Sequence, residues 1–302
     1  MPAQSPFTQP FPAFYFNDSI KTYTTQESSR LYWVPTEEES GRNYQFPALL
    51  DSDVLAYYGH PSSELMGILG RYTKEEIGQQ LSDLAKEYRA QSGGRKVITA
   101  FYIIYGTVWP GGDIGIINES LLQEYIDYAA EHDMLVFIDH QIGKYTPAQA
   151  LRRMLPYLKY PHVHLALDPE WRTTKPMQEI GSVTGAEINQ VQSIMEDYIL
   201  ENDLPGDRML VIHQFRYSMI QNREEIVSGL NHVRLVLCAD GFGSPSVKRN
   251  SYAYNALAGN IPIKGFKLFY RSGFAGAGYD QPLLTPAEVY ALNPRPYLIM
   301  YQ

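Results

Sequence analysis

Short apolar runs alternate with longer segments of helical periodicity from residue 53 to the end of the chain. Each apolar run is nearly continuous, which is typical of parallel strands that are covered on both faces. Eight strands are predicted in this way: Val54–Tyr58, Lys96–Ile104, Met134–Asp139, His162–Asp168, Met209–Gln214, Val233–Asp240, Gly265–Tyr270 and Tyr297–Tyr301.

Helix starts between these runs are marked by a hydroxyl residue that is followed three positions later by Glu or Gln. This pattern is a capping box, in which the hydroxyl and the Glu or Gln side chain each satisfy a free backbone N–H. Apolar stripes at helical spacing follow the boxes. The predicted cap residues are Thr73, Ser120, Thr146, Thr184 and Thr285.

Eight strands that alternate with about seven helices over roughly 250 residues predict an α/β fold, a closed (βα)8 TIM barrel. We assign residues 51–302 to this single barrel domain. A doubly wound open sheet is the alternative, but it usually carries a glycine-rich phosphate loop after its first strand. The corresponding residues here are His60-Pro61-Ser62-Ser63, and the barrel is therefore preferred.

Residues 1–50 differ from the rest of the chain. Pro2–Pro12 is rich in Pro, Gln, Ser and Phe, and Thr36–Arg42 is acidic and polar. We expect a linker or an extended arm that packs on the barrel, of the kind that follows a removed export signal or lipid anchor. The alternative is the ordinary N-terminus of a cytosolic protein.

Composition excludes several classes of protein. Hydrophobic residues make up 44% of the chain, which is enough for a large core, and the net charge is -8. Nucleic acid is therefore not an expected partner, because phosphate binding requires a positive surface. The single cysteine, Cys238, excludes an intrachain disulfide and is expected to be buried. No apolar run reaches the ~18 residues of a transmembrane segment, and the 24 tyrosines slightly favour carbohydrate as a ligand.

Polar and aromatic residues follow almost every predicted strand. The loops after the carboxyl ends of the strands form the active face of a (βα)8 barrel, so we expect these side chains to meet at one mouth. In chain order the candidates are Tyr58, His60, Tyr105, Asp139, Gln141, Asp168, Glu170, His213, Gln214, Asp240, Lys267, Tyr270 and Tyr301.

The most informative strand end is Asp168-Pro169-Glu170-Trp171. If extended geometry persists there, both carboxylates project to the same face. Crowded carboxylates separate in pKa, so that one is protonated and the other ionised near neutral pH, as glycoside hydrolysis requires. Trp171 offers a stacking surface for a sugar. The alternative is that Asp168 caps a loop and that Glu170 is only solvated.

Asp139 and Asp240 occupy equivalent positions after two other strands. Either one is a candidate for the second carboxylate, and loop capping is the alternative role for both. Strand-end acids and histidines are also metal ligands, but no dense histidine cluster accompanies them, so neither a metal nor another cofactor is expected. Lys267 lies in an apolar strand and should pair with a mouth carboxylate, because an unpaired buried charge is costly. The alternative role for this lysine is to form a Schiff base.

Several short phrases after residue 57 are distinctive. They are Tyr58-Gly59-His60-Pro61, Met66-Gly67-Ile68-Leu69-Gly70, Ala166-Leu167-Asp168-Pro169-Glu170-Trp171, His213-Gln214-Phe215, Asp240-Gly241-Phe242-Gly243, Gly265-Phe266-Lys267-Leu268-Phe269-Tyr270 and Tyr301-Gln302. Through them the chain resembles an uncharacterised family of exported or lipid-anchored bacterial TIM-barrel proteins. The resemblance implies a barrel at the cell envelope or outside the cell, and it brings no activity with it.

The phrase Asp168-Pro169-Glu170 is also similar to the Asp-x-Glu motif on the fourth strand of chitinase-type and muramidase-type glycosidases. This similarity implies that Glu170 is a general acid. The acidic run that precedes the motif in chitinases is His164-Leu165-Ala166-Leu167 here. Tyr57 and Tyr58 stand in the region of the first-strand aspartate of muramidases.

These observations favour a secreted or envelope-associated hydrolase that acts on a carbohydrate or another small polar substrate. Glu170 would be the general acid, Asp168 would tune its pKa or orient the substrate, and Asp139 or Asp240 would oppose it. The substrate-binding candidates are Tyr58, His60, Gln141, Trp171, His213, Gln214, Lys267, Tyr270 and Tyr301. A barrel that binds a glycan or an envelope polymer without catalysis is one alternative, and a metal-dependent hydrolase is another.

Overall fold

The computed structural model describes residues 51–302. In the preceding segment it describes only the backbone of two short strands, Thr22–Thr24 and Leu31–Trp33, which pair antiparallel with each other. The arm predicted over residues 1–50 otherwise lies outside the described residues. Among the helices that are described, none is both long enough and apolar enough to cross a membrane.

Eight parallel strands form a closed barrel. They are β1 (Ser52–His60), β2 (Lys96–Val108), β3 (Leu135–His140), β4 (Val163–Leu167), β5 (Arg208–Gln214), β6 (Val233–Ala239), β7 (Ile263–Leu268) and β8 (Leu298–Tyr301). Because β1 pairs with both β2 and β8, the sheet closes on itself. The prediction of a TIM barrel is confirmed, and all eight predicted strands are present with shifted ends.

Side chains on each strand alternate between the barrel interior and the layer beneath the helices. On β1, Val54 and Ala56 belong to the interior cluster, whereas Leu55 belongs to the outer one. Both faces of the strand are therefore covered, which explains the nearly continuous apolar runs. Cys238 lies in the interior cluster and is buried, as expected.

Aromatic rings fill the interior of the barrel below the carboxyl ends of the strands. The ring of Tyr102 stacks on Phe137 with a centroid separation of 5.0 Å, and Tyr58 lies 5.4 Å from Tyr102. All three rings are buried. They form a floor beneath the polar residues at the strand ends.

Six α-helices cover the described barrel. They are α1 (Lys74–Gln91), α2 (Glu119–Glu131), α3 (Pro147–Met154), α4 (Gly185–Glu201), α5 (Pro245–Ala256) and α6 (Pro286–Tyr290). The connection from β5 to β6 contains no α-helix, but two short 3-10 turns, Tyr217–Met219 and Arg223–Glu225, and the two-residue strand Ile220–Gln221 between them. The sequence predicts about seven helices, and the described barrel has six α-helices.

Four of the five predicted capping boxes are confirmed, at Thr73, Thr146, Thr184 and Thr285. The box predicted at Ser120 is wrong. Helix α2 begins at Glu119, and the side chain of Asn118 caps it by accepting the N–H of Leu121 at 3.1 Å. The hydroxyl of Ser120 donates to that same asparagine oxygen at 2.6 Å.

Asn118→Ala should lower the free energy of unfolding by about 1 kcal/mol, because the N–H of Leu121 loses its acceptor. Ser120→Ala is the matched control and should cost less, since its hydroxyl contacts the cap side chain rather than a free N–H. Urea denaturation at neutral pH measures both variants. A larger loss for Ser120→Ala than for Asn118→Ala would contradict this cap.

Candidate active site

Five ionisable side chains meet inside the barrel above the aromatic floor. They come from the carboxyl ends of β3 to β7, and each is exposed by 7% or less. We refer to them as the mouth cluster: Asp139, Asp168, His213, Asp240 and Lys267. Consecutive parallel strands bring their ends to one side of a barrel, which is why residues spread over 129 positions of the chain become neighbours.

The His213 ring lies between two carboxylates. Its Nδ1 is 3.0 Å from Oδ2 of Asp240, and its Nε2 is 3.7 Å from Oδ2 of Asp139. Nε2 also shares a hydrogen bond of 2.7 Å with the hydroxyl of Tyr102, which anchors the ring to the floor. Burial opposes a charged imidazole, but the two carboxylates outweigh it and raise the pKa of His213 above its usual value.

Asp240 is held between two cationic groups. Nζ of Lys267 lies 3.1 Å from its Oδ1 and 3.7 Å from the ring centroid of Tyr58. Lys267 therefore pairs with a mouth carboxylate, as expected. Burial opposes the ionisation of Asp240, but the charges of Lys267 and His213 outweigh it and lower its pKa to about 2. Asp240 is an anion at neutral pH.

Strand β4 ends at Leu167, and Asp168 is the last residue with an extended backbone. Pro169–Trp171 forms a 3-10 turn, and Oδ1 of Asp168 caps it by accepting the N–H of Glu170 at 3.2 Å. The extended geometry considered for Asp168 and Glu170 therefore does not persist, and the capping role considered for Asp168 is present. Trp171 is half-buried at the end of this turn.

Glu170 is half-buried rather than simply solvated. Burial and the negative charge of Asp240 raise its pKa to about 7, although Lys267 and His213 act in the opposite direction. Burial also raises the pKa of Asp168 well above its usual value; His213 opposes this shift and the charge of Glu170 adds to it. At neutral pH the site therefore combines an ionised Asp240, an Asp168 whose pKa is raised by burial and a Glu170 close to its midpoint.

Hydrogen bonds and an ion pair hold the turn that carries Glu170. The N–H of Gly181 donates to the carbonyl of Glu170 at 2.6 Å. A Cβ at position 181 would lie 2.4 Å from the carbonyl oxygen of Arg172 and 2.5 Å from that of Pro169, so only glycine fits there. Arg172 in turn pairs with Glu187 of α4 at 2.6 Å. These contacts hold Glu170 in one position relative to the barrel.

The side-chain amides of Gln141 and Gln214 bind loop backbone. Oε1 of Gln141 accepts the N–H of Val108 at 2.9 Å, and Nε2 of Gln214 donates to the carbonyl of Arg216 at 3.1 Å. Both residues were considered as substrate-binding groups. In this arrangement they shape the loops around the mouth cluster.

Tyr270 and Tyr301 lie in the layer between barrel and helices rather than in the mouth cluster. Their rings stack at 5.1 Å, and the hydroxyl of Tyr301 hydrogen-bonds that of Tyr88 in α1 at 2.7 Å. His60 is the half-buried last residue of β1, where its Nδ1 accepts the N–H of Ser62 at 3.1 Å.

Sequence reasoning misses Tyr102, which holds His213. This tyrosine lies in the middle of the apolar run of β2, and only its inward position on the strand would have indicated contact with the mouth. Within residues 51–302, no group of three or more His, Cys, Asp or Glu side chains is arranged to hold a metal ion.

Comparisons with known proteins return only general likenesses. No family model matches the chain, and no curated protein matches it. Among solved structures, a chitinase from Chromobacterium violaceum is 9% identical over 71% of this chain and 68% of its own, with a TM-score of 0.41. An oxaloacetate acetylhydrolase is 12% identical over 84% and 78%, with a TM-score of 0.46. A family 18 chitinase from Crocus vernus is 11% identical over 82% and 91%, with a TM-score of 0.42. Likeness at this level assigns no activity to the chain.

Proposed function

We propose that this protein is a hydrolase that cleaves a glycosidic bond at the barrel mouth, with Glu170 as the general acid. One observation carries the proposal. Glu170 is a half-buried carboxyl group whose pKa is raised to about 7, and it interacts electrostatically with Asp240, whose pKa is lowered to about 2. Glycoside hydrolysis requires one protonated and one ionised carboxyl group at neutral pH.

In the proposed reaction Glu170 donates its proton to the oxygen of the leaving group while the glycosidic bond breaks. The ionised Asp240 stabilises the positive charge that develops at the anomeric carbon. A water molecule then supplies the hydroxyl group of the second product, and Glu170 takes up the proton that this water releases. Asp240 suits this role better than Asp139, because Asp240 is 7% exposed and Asp139 is fully buried.

The remaining groups support these two carboxyl groups. Lys267 and His213 keep Asp240 ionised, and the raised pKa of Asp168 opposes a second negative charge beside Glu170. The half-buried Trp171 follows Glu170 directly and supplies an apolar face for a sugar ring. Carbohydrate is the substrate class that we propose on this basis.

The rate of hydrolysis should fall as the pH rises through about 7, because Glu170 acts only while protonated and its pKa is about 7. The dependence of kcat/KM on pH between about 5 and 9 measures this alkaline decrease in rate for the free enzyme. An enzyme whose rate instead increases through pH 7 would not be using Glu170 as an acid.

A screen of aryl glycosides and soluble polysaccharides, followed by analysis of new reducing ends, tests the proposal. Release of reducing ends by the wild type, with a stoichiometric free sugar or aglycone, supports it. Binding of a glycan without turnover would favour the binding barrel instead. Activity that is lost with a chelator and restored by a divalent cation would favour the metal-dependent hydrolase.

We also propose that the protein acts at the bacterial cell envelope or outside the cell. The resemblance to exported and lipid-anchored barrel proteins supports this location. Fractionation of cells that produce the protein from its natural gene, with immunodetection in the medium, membrane and cytosol, tests it. Recovery in the cytosol alone would contradict the location without affecting the proposed chemistry.

A further inference from the structure

A second buried ion pair lies beside the mouth cluster. Nζ of Lys248, in α5, is 3.3 Å from Oδ2 of Asp280, which lies between β7 and α6. Both side chains are exposed by only 1%. Neither residue belongs to the mouth cluster, and neither has a role in the proposed reaction.

The ammonium group of Lys248 has three hydrogen-bond donors, and three oxygens surround it. Besides Asp280, it contacts the backbone carbonyls of Gly241 and Lys267. Gly241 follows Asp240 directly in the chain, and Lys267 is the ion-pair partner of Asp240. One buried side chain therefore binds the backbone next to both members of the Asp240–Lys267 pair.

The carboxylate of Asp280 connects the same two segments from the other side. Its Oδ1 accepts the N–H of Gly243 at 2.9 Å, and its Oδ2 accepts the N–H of Phe269 at 3.0 Å. Gly243 lies three residues after Asp240, and Phe269 lies two residues after Lys267. Together the two side chains make four bonds to the backbone at the carboxyl end of β7 and in the segments that follow β6 and β7.

A buried ion pair is a weak contributor to net stability, because removing both charges from water offsets much of their attraction. A pair of apolar side chains would fill the same volume at less cost. The four backbone bonds, in contrast, require donors and acceptors at fixed places, and apolar side chains cannot provide them. The arrangement is therefore better explained by the geometry that it fixes than by the stability that it adds.

We propose that Lys248 and Asp280 are positioning residues, which hold the backbone of the β6 and β7 ends so that Asp240 stays within reach of both Lys267 and His213. The effect of these two residues on catalysis rests on the proposed function. Their effect on the position of Asp240 can be tested without a substrate. If the pair is removed, the two segments separate and Asp240 moves away from His213.

Histidine ring signals in a selectively labelled NMR sample test this role. In Lys248→Met, the titration midpoint of His213 should move down by about half a pH unit or more, because a cationic imidazole loses its nearest carboxylate. His213→Gln assigns the signal. The other groups that interact with this ring are Tyr58, Tyr102, Asp139, Asp168 and Glu170.

Arg249→Met is the matched control. Arg249 is the next residue of the same helix, and it pairs with Glu288 at 3.0 Å on the surface. Its removal should leave the midpoint of His213 unchanged. If Lys248→Met does not fold, Asp280→Asn provides the same test, because it removes the charge of the pair and keeps the shape of the side chain.

The outcomes separate the two proposals. An unchanged His213 midpoint in a folded Lys248→Met or Asp280→Asn variant overturns the positioning role, whatever the enzyme hydrolyses. A shifted midpoint in a protein that hydrolyses no glycoside leaves the positioning role intact and removes the proposed function. Where hydrolysis is found, the variants should lower kcat more than they raise KM, because Asp240 acts on the developing charge.

Discussion

Replacing Glu170 with Gln should reduce kcat/KM for a glycoside by roughly two to four orders of magnitude, since Gln cannot donate a proton to the leaving group. The loss should be smallest for an aryl glycoside whose leaving phenol is strongly acidic, because such a group departs without protonation. Steady-state rates on a series of aryl glycosides of increasing leaving-group pKa measure this trend. Glu201→Gln, an exposed change at the end of α4, is the matched control.

Equal losses of Glu170→Gln across the whole series would place the residue outside the acid step. Full activity on every substrate would remove the proposal altogether. The variant should also lose the alkaline limb of the pH profile, because no group with a pKa near 7 remains at that position.

The same variant should be more stable than the wild type at alkaline pH. The pKa of Glu170 is raised from 4.5 to about 7 on folding. Its favourable contribution is therefore fully present below pH 4.5 and is lost as the pH rises through about 7. Gln does not ionise, so the difference in Tm between variant and wild type should grow from pH 4.5 to pH 8. A constant difference would contradict the raised pKa.

Asp240→Asn should lower the free energy of unfolding at neutral pH by about 3–5 kcal/mol, because it leaves Lys267 and His213 as buried cations without their shared partner. Urea denaturation measures the loss. Asp197→Asn, an exposed change on α4, should stay within about 0.5 kcal/mol of the wild type. A double variant, Asp240→Asn with Lys267→Met, should recover part of the loss, since one of the two cations is then absent.

The pH dependence of Asp240→Asn has a defined sign. The pKa of Asp240 is lowered on folding from 3.8 to about 2, so its contribution is present above 3.8 and disappears as the pH falls through about 2. The stability difference between wild type and variant should therefore shrink on acidification. A loss below about 1 kcal/mol at neutral pH would mean that Asp240 does not hold the two cations.

The sequence predicts the barrel well because parallel strands that are covered on both faces are apolar along their whole length. The helix starts are predictable because a threonine cap and its Glu or Gln partner are only three residues apart. The sequence also predicts that the acidic residues at the strand ends lie close together, because the carboxyl ends of parallel strands lie at one end of the barrel whatever the register between the strands. The face of a single residue is harder to predict, because neighbouring positions on a strand point to opposite sides. Tyr301 illustrates this: Met300 belongs to the interior cluster, and Tyr301 therefore points outward.

Other parts of the site depend on contacts between distant segments. Strand β7 ends at Leu268, so Tyr270, predicted within the strand, lies beyond it. Lys248 resembles an ordinary solvated residue of a polar helix, and its partner Asp280 is 32 positions away after a glycine-rich loop. Only the packing of α5 against the ends of β6 and β7 makes this lysine a buried group with three oxygen partners.

The aromatic floor has a consequence for the path of a bound molecule. Since buried side chains from all eight strands, the rings of Tyr58, Tyr102 and Phe137 among them, pack into one cluster inside the barrel, no ligand at its carboxyl end can continue through to the opposite end. Products have to depart on the side from which the substrate arrived. A long polymer would thus have to detach, or slide sideways across the rim, between successive cuts.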